Sequence, residues 1–379
     1  MQHKGKIKSK SWRKIKLGEW LELKYGFGLP EEKRIKGNIP IYGSSGIVGY
    51  HNKPAVNTQG IIIGRKGNVG VIYFSSKPFY PIDTVYFVDS LKKEGYLKFF
   101  YYLLKTIDFK KVDINVGVPG LNRDTAHSLE VLIPEDITEQ KRIADILSVF
   151  DDKIEVNNKI IKTLEEMAQE VFKEKFNNSE KLIVNSEKLK LKKWEIKDAE
   201  DVFIFEKGIE PGSKYYSETK KEGYIPFYRV RDLDKQSGVD VYIPKKIANG
   251  KICKESDVLI SLDATVGRVK IGCNGAFSSG IRKVYSKDRL IKNSFIYFWL
   301  KTPYVQDTIL ERASGTTILH AGQAIKYLKI PFNKEIIKEI QSKVDPMFEK
   351  ILQILKETQT LAALRDLLLP KLMSGEIRV

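Results

Sequence analysis

An α+β fold, built as two β-rich modules that are each followed by a long helix, is predicted by three observations. Between Glu139 and Phe176, apolar residues recur at alternating steps of three and four with no glycine or proline to interrupt them, which is the pattern of a coiled-coil seam. The stretches before this seam are short, rich in β-branched and aromatic residues and punctuated by glycine, as strands joined by tight turns are. Both kinds of segment then occur a second time, so the fold is expected to be built twice.

The first β-rich module is assigned to residues 1–136. From Trp12 to Leu23 the sequence is short and mixed; IPIYGSSGIVGY, GIIIGRKGNVGVIYF and DTVYFV then read as strands, and Gly95 to Thr106 as a helix packed against them. A glycine-containing loop, NVGVPGLN, leads through a last strand, Leu129 to Pro134. The central long helix is assigned to 137–178. Its seam comprises Ile143, Leu147, Phe150, Ile154, Ile161, Leu164, Ala168 and Val171, with Asn157 filling one step as a polar layer. At about 1.5 Å per residue the stretch is about 57 Å long. A helix of that length cannot bury itself within one compact domain, so it reads as a spacer in need of a partner helix.

After Phe176 a polar segment, NNSEKLIVNSEKLKLKK, reads as a connector into the second module, 179–332. Trp194 echoes Trp12, and Lys207-Gly208 echoes Tyr25-Gly26. Gly223 to Tyr228 (GYIPFY) echoes Gly37 to Tyr42 (GNIPIY), and VLISLDATVGRV from Val258 aligns without gaps on IIIGRKGNVGVI from Ile61. The offset widens along the way, which places about fifteen extra residues mostly around Arg231 to Asn249. The last segment, 333–379, repeats the helix. Ile340, Val344, Met347, Ile351, Ile354, Thr358 and Leu361 stand in the register of Ile143, Leu147, Phe150, Ile154, Asn157, Ile161 and Leu164. This is the expected partner, paired as an antiparallel coiled coil with pseudo-twofold symmetry, because parallel packing would crowd both modules at one end. On this register Asn157 and Thr358 are expected at different heights, and Pro346 is expected to kink or start the second helix.

Composition narrows the function. Lys and Arg total 65 against 48 Asp and Glu, a formal charge of +17, which favours polyanions such as nucleic acid; a Lys- and Glu-rich surface of the thermophile kind accounts for the same counts. Two cysteines and four scattered histidines assemble neither a disulfide framework nor a zinc site at recognised spacing. Apolar runs such as Gly60 to Ile63 fall far short of a membrane span, and the basic N-terminus lacks the apolar core of a signal peptide. A reducing cytoplasm is the expected compartment.

The search for catalytic chemistry comes out negative. Gly208-Ile-Glu-Pro-Gly212-Ser-Lys214 is one residue short of a phosphate loop and has its lysine misplaced. Asp345-Pro-Met-Phe348 approaches the turn of an amino-methyltransferase but lies inside the heptad run. Glu31-Glu-Lys33 offers only a fragment of a metal-dependent nuclease site. His3, His51, His127 and His320 have no Ser or Cys partner at a telling spacing and read as surface or structural residues. What stands out is polar and basic matter in glycine-rich turns. Tyr42, Ser44, Ser45, Arg65, Lys66 and Asn68 form the set in the first module; Tyr228, Arg229, Arg231, Thr265 and Arg268 occupy aligned or adjacent places in the second. Arginine reads guanine edges bidentately, and Asn, Ser and Thr reach bases or phosphates. Any one of these residues reads equally as a solvated turn, but a set repeated in both halves favours DNA contact.

On these residues the chain resembles the specificity (S) subunit of type I restriction–modification systems. The resemblance covers nearly the whole chain and rests on the two-copy plan, on IPIYGSSGIVGY followed by GIIIGRKGNVGVIYF, on Ile133-Pro134 with Glu139-Gln-Lys-Arg-Ile143, and on the ending LLLPKLMSGEIRV. The second helix departs from the pattern, with Lys334-Glu-Ile-Ile337 where the first has Thr138-Glu-Gln-Lys141. The resemblance implies that each β module is a target recognition domain reading one half of a split, asymmetric site in double-stranded DNA. It implies that the helices dock two methyltransferase (M) subunits, with restriction (R) subunits outside them, and that the chain itself is non-catalytic. The methyl donor, S-adenosylmethionine, would belong to the partners. A coiled-coil scaffold binding an acidic protein is the alternative that composition leaves open.

Overall fold

The computed structural model describes residues 12–112, 120–183, 195–234, 238–315 and 319–379, with the side chains of 176–183 and Leu319 left aside. His3, Trp194 and most of the NVGVPGLN loop lie outside them. The chain divides into two compact units, Met1–Asp152 with Ala363–Val379, and Lys153–Ala362.

In the first unit an antiparallel sheet runs in the order Lys24–Tyr25, Val85–Val88, Gly60–Gly64, Ile72–Ser75. Its central strand, Gly-Ile-Ile-Ile-Gly, is buried on both faces, and the two-residue alternation of a strand divides it between two cores. Ile61 and Ile63 join Tyr86, Val88 and the helix Leu97–Lys105, while Ile62 joins Tyr42, Phe79, Val85 and Phe87. A smaller sheet of Gly46–His51, Ile39–Gly43 and Tyr80–Pro81 holds the last pair parallel. A ribbon of Trp12–Lys16 with Glu130–Pro134 leads into the central helix.

The second unit repeats this topology. Phe203–Lys207, Ile281–Ser286, Val258–Ser261 and Val269–Lys270 form the corresponding sheet in the same order. Tyr224–Tyr228 again pairs parallel with a later strand, Gly275–Phe277, and Glu195–Asp198 with Lys329–Phe332 forms the ribbon. The repeated Gly26 and Gly208 now have a reason. A Cβ on either would lie 2.0 Å from the Ile82 carbonyl oxygen or 2.2 Å from that of Phe277, because the chain crosses the parallel strand at van der Waals contact.

The long helices span Ile137–Ile183 and Lys334–Met373. The first therefore continues into the segment read as a connector. Asp136 and Asn333 cap them at repeat-related positions. The Asp136 carboxylate accepts the Thr138 amide at 2.8 Å, and the Asn333 side chain accepts those of Glu335 and Ile336 at 2.9 and 3.1 Å, so the divergent start at Lys334 has the same kind of cap. The helices pair antiparallel. In the first unit Asp151 meets Arg365 at 2.6 Å; in the second, Lys153 meets Glu357 and Lys175 meets Glu339.

Three expectations about this pair are corrected. Asn157 donates to the Thr358 hydroxyl at 3.1 Å, so the two polar residues share one layer; antiparallel pairing, unlike the sequence repeat, brings them together. Phe172, one place past the expected Val171, is the more deeply buried and packs its ring against Phe295 of the module helix, while Val171 is partly buried against the same core; Phe348 likewise lies deeper than Met347, against Tyr297. Pro346 does not start the C-terminal helix, which begins at Lys334 and runs on past it. It is exposed, as is Ser342, whose carbonyl loses its amide partner on a side open to water.

Each module is clasped to a long helix by the same device. Gln140 accepts the Tyr96 amide at 3.0 Å, and Gln341 accepts the Lys292 amide at 2.7 Å; Tyr96 and Lys292 are the residues immediately preceding the module helices Leu97–Lys105 and Asn293–Leu300. Tyr102 then donates to Asp151 at 2.7 Å, and Tyr297 donates to Glu165. Burial and the neighbouring carboxylate hold both phenols well above the ordinary tyrosine range.

Candidate nucleic-acid interface

The candidate residues lie on two adjoining turns in each unit. One turn follows Ile39–Gly43 or Tyr224–Tyr228; the other closes the strand pair after Gly64 or Ser261. The second turn is the same structure twice. The Gly64 amide donates to Val71 and the Gly70 amide to Gly64, both at 2.8 Å; the Ser261 amide donates to Arg268 at 2.9 Å and the Gly267 amide to Ser261 at 2.8 Å. Gly70 and Gly267 adopt φ of +76° and +82°, a conformation glycine enters without steric cost.

In the first unit the two turns touch through Asn68, which donates to the Ser45 hydroxyl at 3.0 Å. Ser45, Lys66 and Asn68 are exposed, whereas Tyr42 and Ser44 are buried. Tyr42 packs edge-on against Phe79 and belongs to the smaller core. Arg65 is half-buried and aimed by aromatic rings: its guanidinium sits 5.1 Å from the Tyr25 ring and 5.7 Å from that of Tyr86, and it donates to the Asp83 carbonyl at 2.9 Å. Burial, followed by hydrogen bonding and charge from Tyr25, pushes Tyr86 up to about 12, so the ring under Arg65 is neutral. Arg123 approaches the Tyr25 ring as well, at 5.4 Å.

In the second unit, the first turn is longer. The tight Ser44-Ser45 hairpin is replaced by a connection from Arg229 to Val241, after which Tyr242–Pro244 takes up the pairing. Tyr228 is buried, receives the Asn274 amide at 3.2 Å and is pushed upward by burial. Arg229 donates to the fully buried Asp232 at 3.0 Å, and Asp232 in turn accepts the Arg229 amide. Arg268 pairs with Asp234, and the exposed Arg231 stands 3.9 Å from Asp240. Thr265 is exposed, with its carbonyl accepting the Ser261 hydroxyl at 2.5 Å. Thus Arg268 and the 229–234 connection meet here, as Asn68 and Ser45 meet in the first unit.

Sequence reasoning passed over the rings that aim Arg65, over Arg123 and over the three aspartates. Tyr25 stood in the text beside the repeated Gly26, but its stacking partners lie far along the chain. The three histidines among the described residues have structural partners. His51 accepts the Ile35 amide and His127 the Leu23 amide, both at 3.1 Å, and His320 pairs with Asp263 at 2.8 Å. Asp345 of the methyltransferase-like tetrapeptide accepts from Ser294 and Lys292. Cys253 and Cys273 are free and buried. Among the described residues no group of three or more His, Cys, Asp or Glu is placed to hold a metal ion, and no helix is long and apolar enough to cross a membrane.

The family model for the type I restriction modification DNA specificity domain matches the chain twice, over residues 9–166 and 191–361. Among curated relatives, the type I restriction enzyme MjaIX specificity subunit of Methanocaldococcus jannaschii is 29% identical over 345 residues, covering 84% of this chain and 78% of the relative. The HindI specificity subunit of Haemophilus influenzae is 26% identical over 337 residues, covering 68% and 71%. Among solved structures, the S subunit of a type I restriction-modification system from M. genitalium superposes with a TM-score of 0.57 at 21% identity, covering 97% of each chain, which is a likeness of fold.

Proposed function

The chain belongs to the type I restriction–modification DNA specificity family, and from that premise we propose that it reads a bipartite, asymmetric site in double-stranded DNA, one half-site per β module. It is a specificity subunit and not an enzyme. The recognition modules are residues 1–136 and 179–332. The helices at 137–178 and 333–379 set the gap between the half-sites and dock two methyltransferase subunits, to which restriction subunits add. Val156, Ile160 and Met167, each more than a third exposed on the central helix, offer an apolar footing for such docking beside the charged Lys153, Glu155 and Lys162. The two buried free thiols suit a reducing cytoplasm.

The observation that carries this reading is the pair of adjoining turns, repeated in both units, that present Ser45, Lys66, Asn68 and Arg65 on one module and Arg231, Thr265 and Arg268 on the other. Tyr42, Ser44, Tyr228 and Arg229 shape these tips from beneath. The test is binding of the full chain, with its methyltransferase subunits, to duplexes altered in one half-site at a time. Arg65→Ala should erode discrimination at one half-site and Arg268→Ala at the other, each by about 1–3 kcal/mol for a bidentate guanine contact. Uniform weakening on all DNA would make that arginine a phosphate contact, and a wild-type complex that discriminates neither half-site would overturn the reading.

A further inference from the structure

The longer connection of the second unit brings carboxylates to a tip whose work is to meet a polyanion. Arg268 is paired with Asp234, and Asp240 lies 3.6 Å from Arg229 and 3.9 Å from Arg231. Asp232 is fully buried and shapes the turn, whereas the side chains of Asp234 and Asp240 are 55% and 57% exposed. Exposed ion pairs of this kind contribute little to folding. They do change what DNA meets. Three aspartates stand among the three arginines of this tip, while Arg65 in the first unit rests on tyrosine rings and a backbone carbonyl. All three aspartates lie in the connection that the two-residue hairpin Ser44-Ser45 replaces in the first unit.

A carboxylate on a guanidinium offers two acceptor oxygens; the O6 and N7 of guanine in the major groove offer an equivalent pair. A phosphate is also an acceptor, but it brings its own negative charge close to the aspartate. Resting on the DNA-reading proposal above, we propose that Asp234 and Asp240 are specificity-determining residues of the second module. They hold Arg268 and Arg231 neutralised and in position, repel the phosphates of mismatched duplex, and yield the guanidinium only to a base edge whose acceptors replace theirs. The first module, without this screen, supplies the less selective grip.

The experiment uses the full chain with its methyltransferase subunits, as wild type, Asp234→Asn, Asp240→Asn and the double variant. Affinities are measured over a salt series for the cognate duplex and for duplexes altered in either half-site. Each Asn variant should bind duplexes altered in the second half-site about threefold more tightly, and the double variant about tenfold. The slope of log affinity against log salt should steepen by about one phosphate contact for each charge removed. Discrimination at the first half-site should not change. Asp234→Glu and Asp240→Glu, which keep the charge, should restore wild-type rejection, and unchanged melting temperatures would separate the effect from misfolding. Unchanged binding of the altered duplexes, or a loss of affinity for all DNA in folded variants, overturns the proposal. If the wild-type complex itself discriminates neither half-site, the DNA-reading proposal fails instead.

Discussion

The first unit turns between Ile39–Gly43 and Gly46–His51 in two residues, with Ser44 tucked in and Gly46 at φ +100°. At the same place the second unit spends the thirteen residues from Arg229 to Val241, and its Arg229 turns onto the buried carboxylate of Asp232. Beneath these turns the strand order, the parallel crossing at Gly26 or Gly208 and the Gly64 or Ser261 turn are shared. The difference teaches that the two copies conserve a scaffold while aiming their arginines by unlike means. Aromatic rings hold Arg65, and carboxylates hold Arg229, Arg231 and Arg268.

The largest effect expected from breaking this contrast is Asp232→Ala. It takes the buried carboxylate from Arg229, whose side chain is only 19% exposed, and leaves it the exposed Asp240 at 3.6 Å; this should cost about 2 kcal/mol in urea unfolding, and an unchanged midpoint would show that the buried carboxylate does not hold the tip. A smaller effect is expected from Tyr25→Leu, which removes the ring facing Arg65 and Arg123. Loss of that cation–π support should weaken discrimination at the first half-site by about 1 kcal/mol and leave the second intact, measured on the same altered duplexes; equal loss at both would mean that the ring supports the whole protein and not one tip.

The smallest effect concerns acid. Burial raises the pKa of Glu206, but hydrogen bonds from Lys251 and Lys283, both at 2.9 Å, outweigh it and hold the carboxyl below its ordinary 4.5. A lowered folded-state pKa contributes stability that is fully present above the ordinary value and is lost as pH falls through the lowered one. Glu206→Gln should therefore flatten the acid limb of the stability–pH curve below pH 4.5 and leave its shape at neutral pH unaltered. An acid limb identical to wild type would show that the lysine pair stabilises nothing.

Most of the architecture was legible because it is periodic. Steps of three and four residues mark the seam from Ile143 to Ala168, and the ungapped match of Val258–Val269 to Ile61–Ile72 marks a shared strand and turn. What escaped depends on which residues meet across the fold. A one-dimensional register cannot show that antiparallel helices bring Asn157 to Thr358, nor that a module ring, Phe295, covers Phe172. The candidate tips were found as glycine-rich turns with basic residues, yet the text does not reveal that Arg268 is paired with Asp234 or that Tyr42 is core. Ion pairs and stacks join residues far apart in the chain and leave no spacing behind.

The glutamine clasps have a consequence for how such a protein can change. Gln140 and Gln341 hold their modules through the backbone amides of Tyr96 and Lys292, and a backbone amide is the same whatever side chain it carries. At this contact the joint does not depend on which side chain residue 96 or 292 carries, and the side-chain bonds beside it come from Tyr102 and Tyr297 and not from the tip. Substitutions, or a whole inserted connection such as 229–241, can therefore accumulate at the tips while this contact at the long helix stays the same.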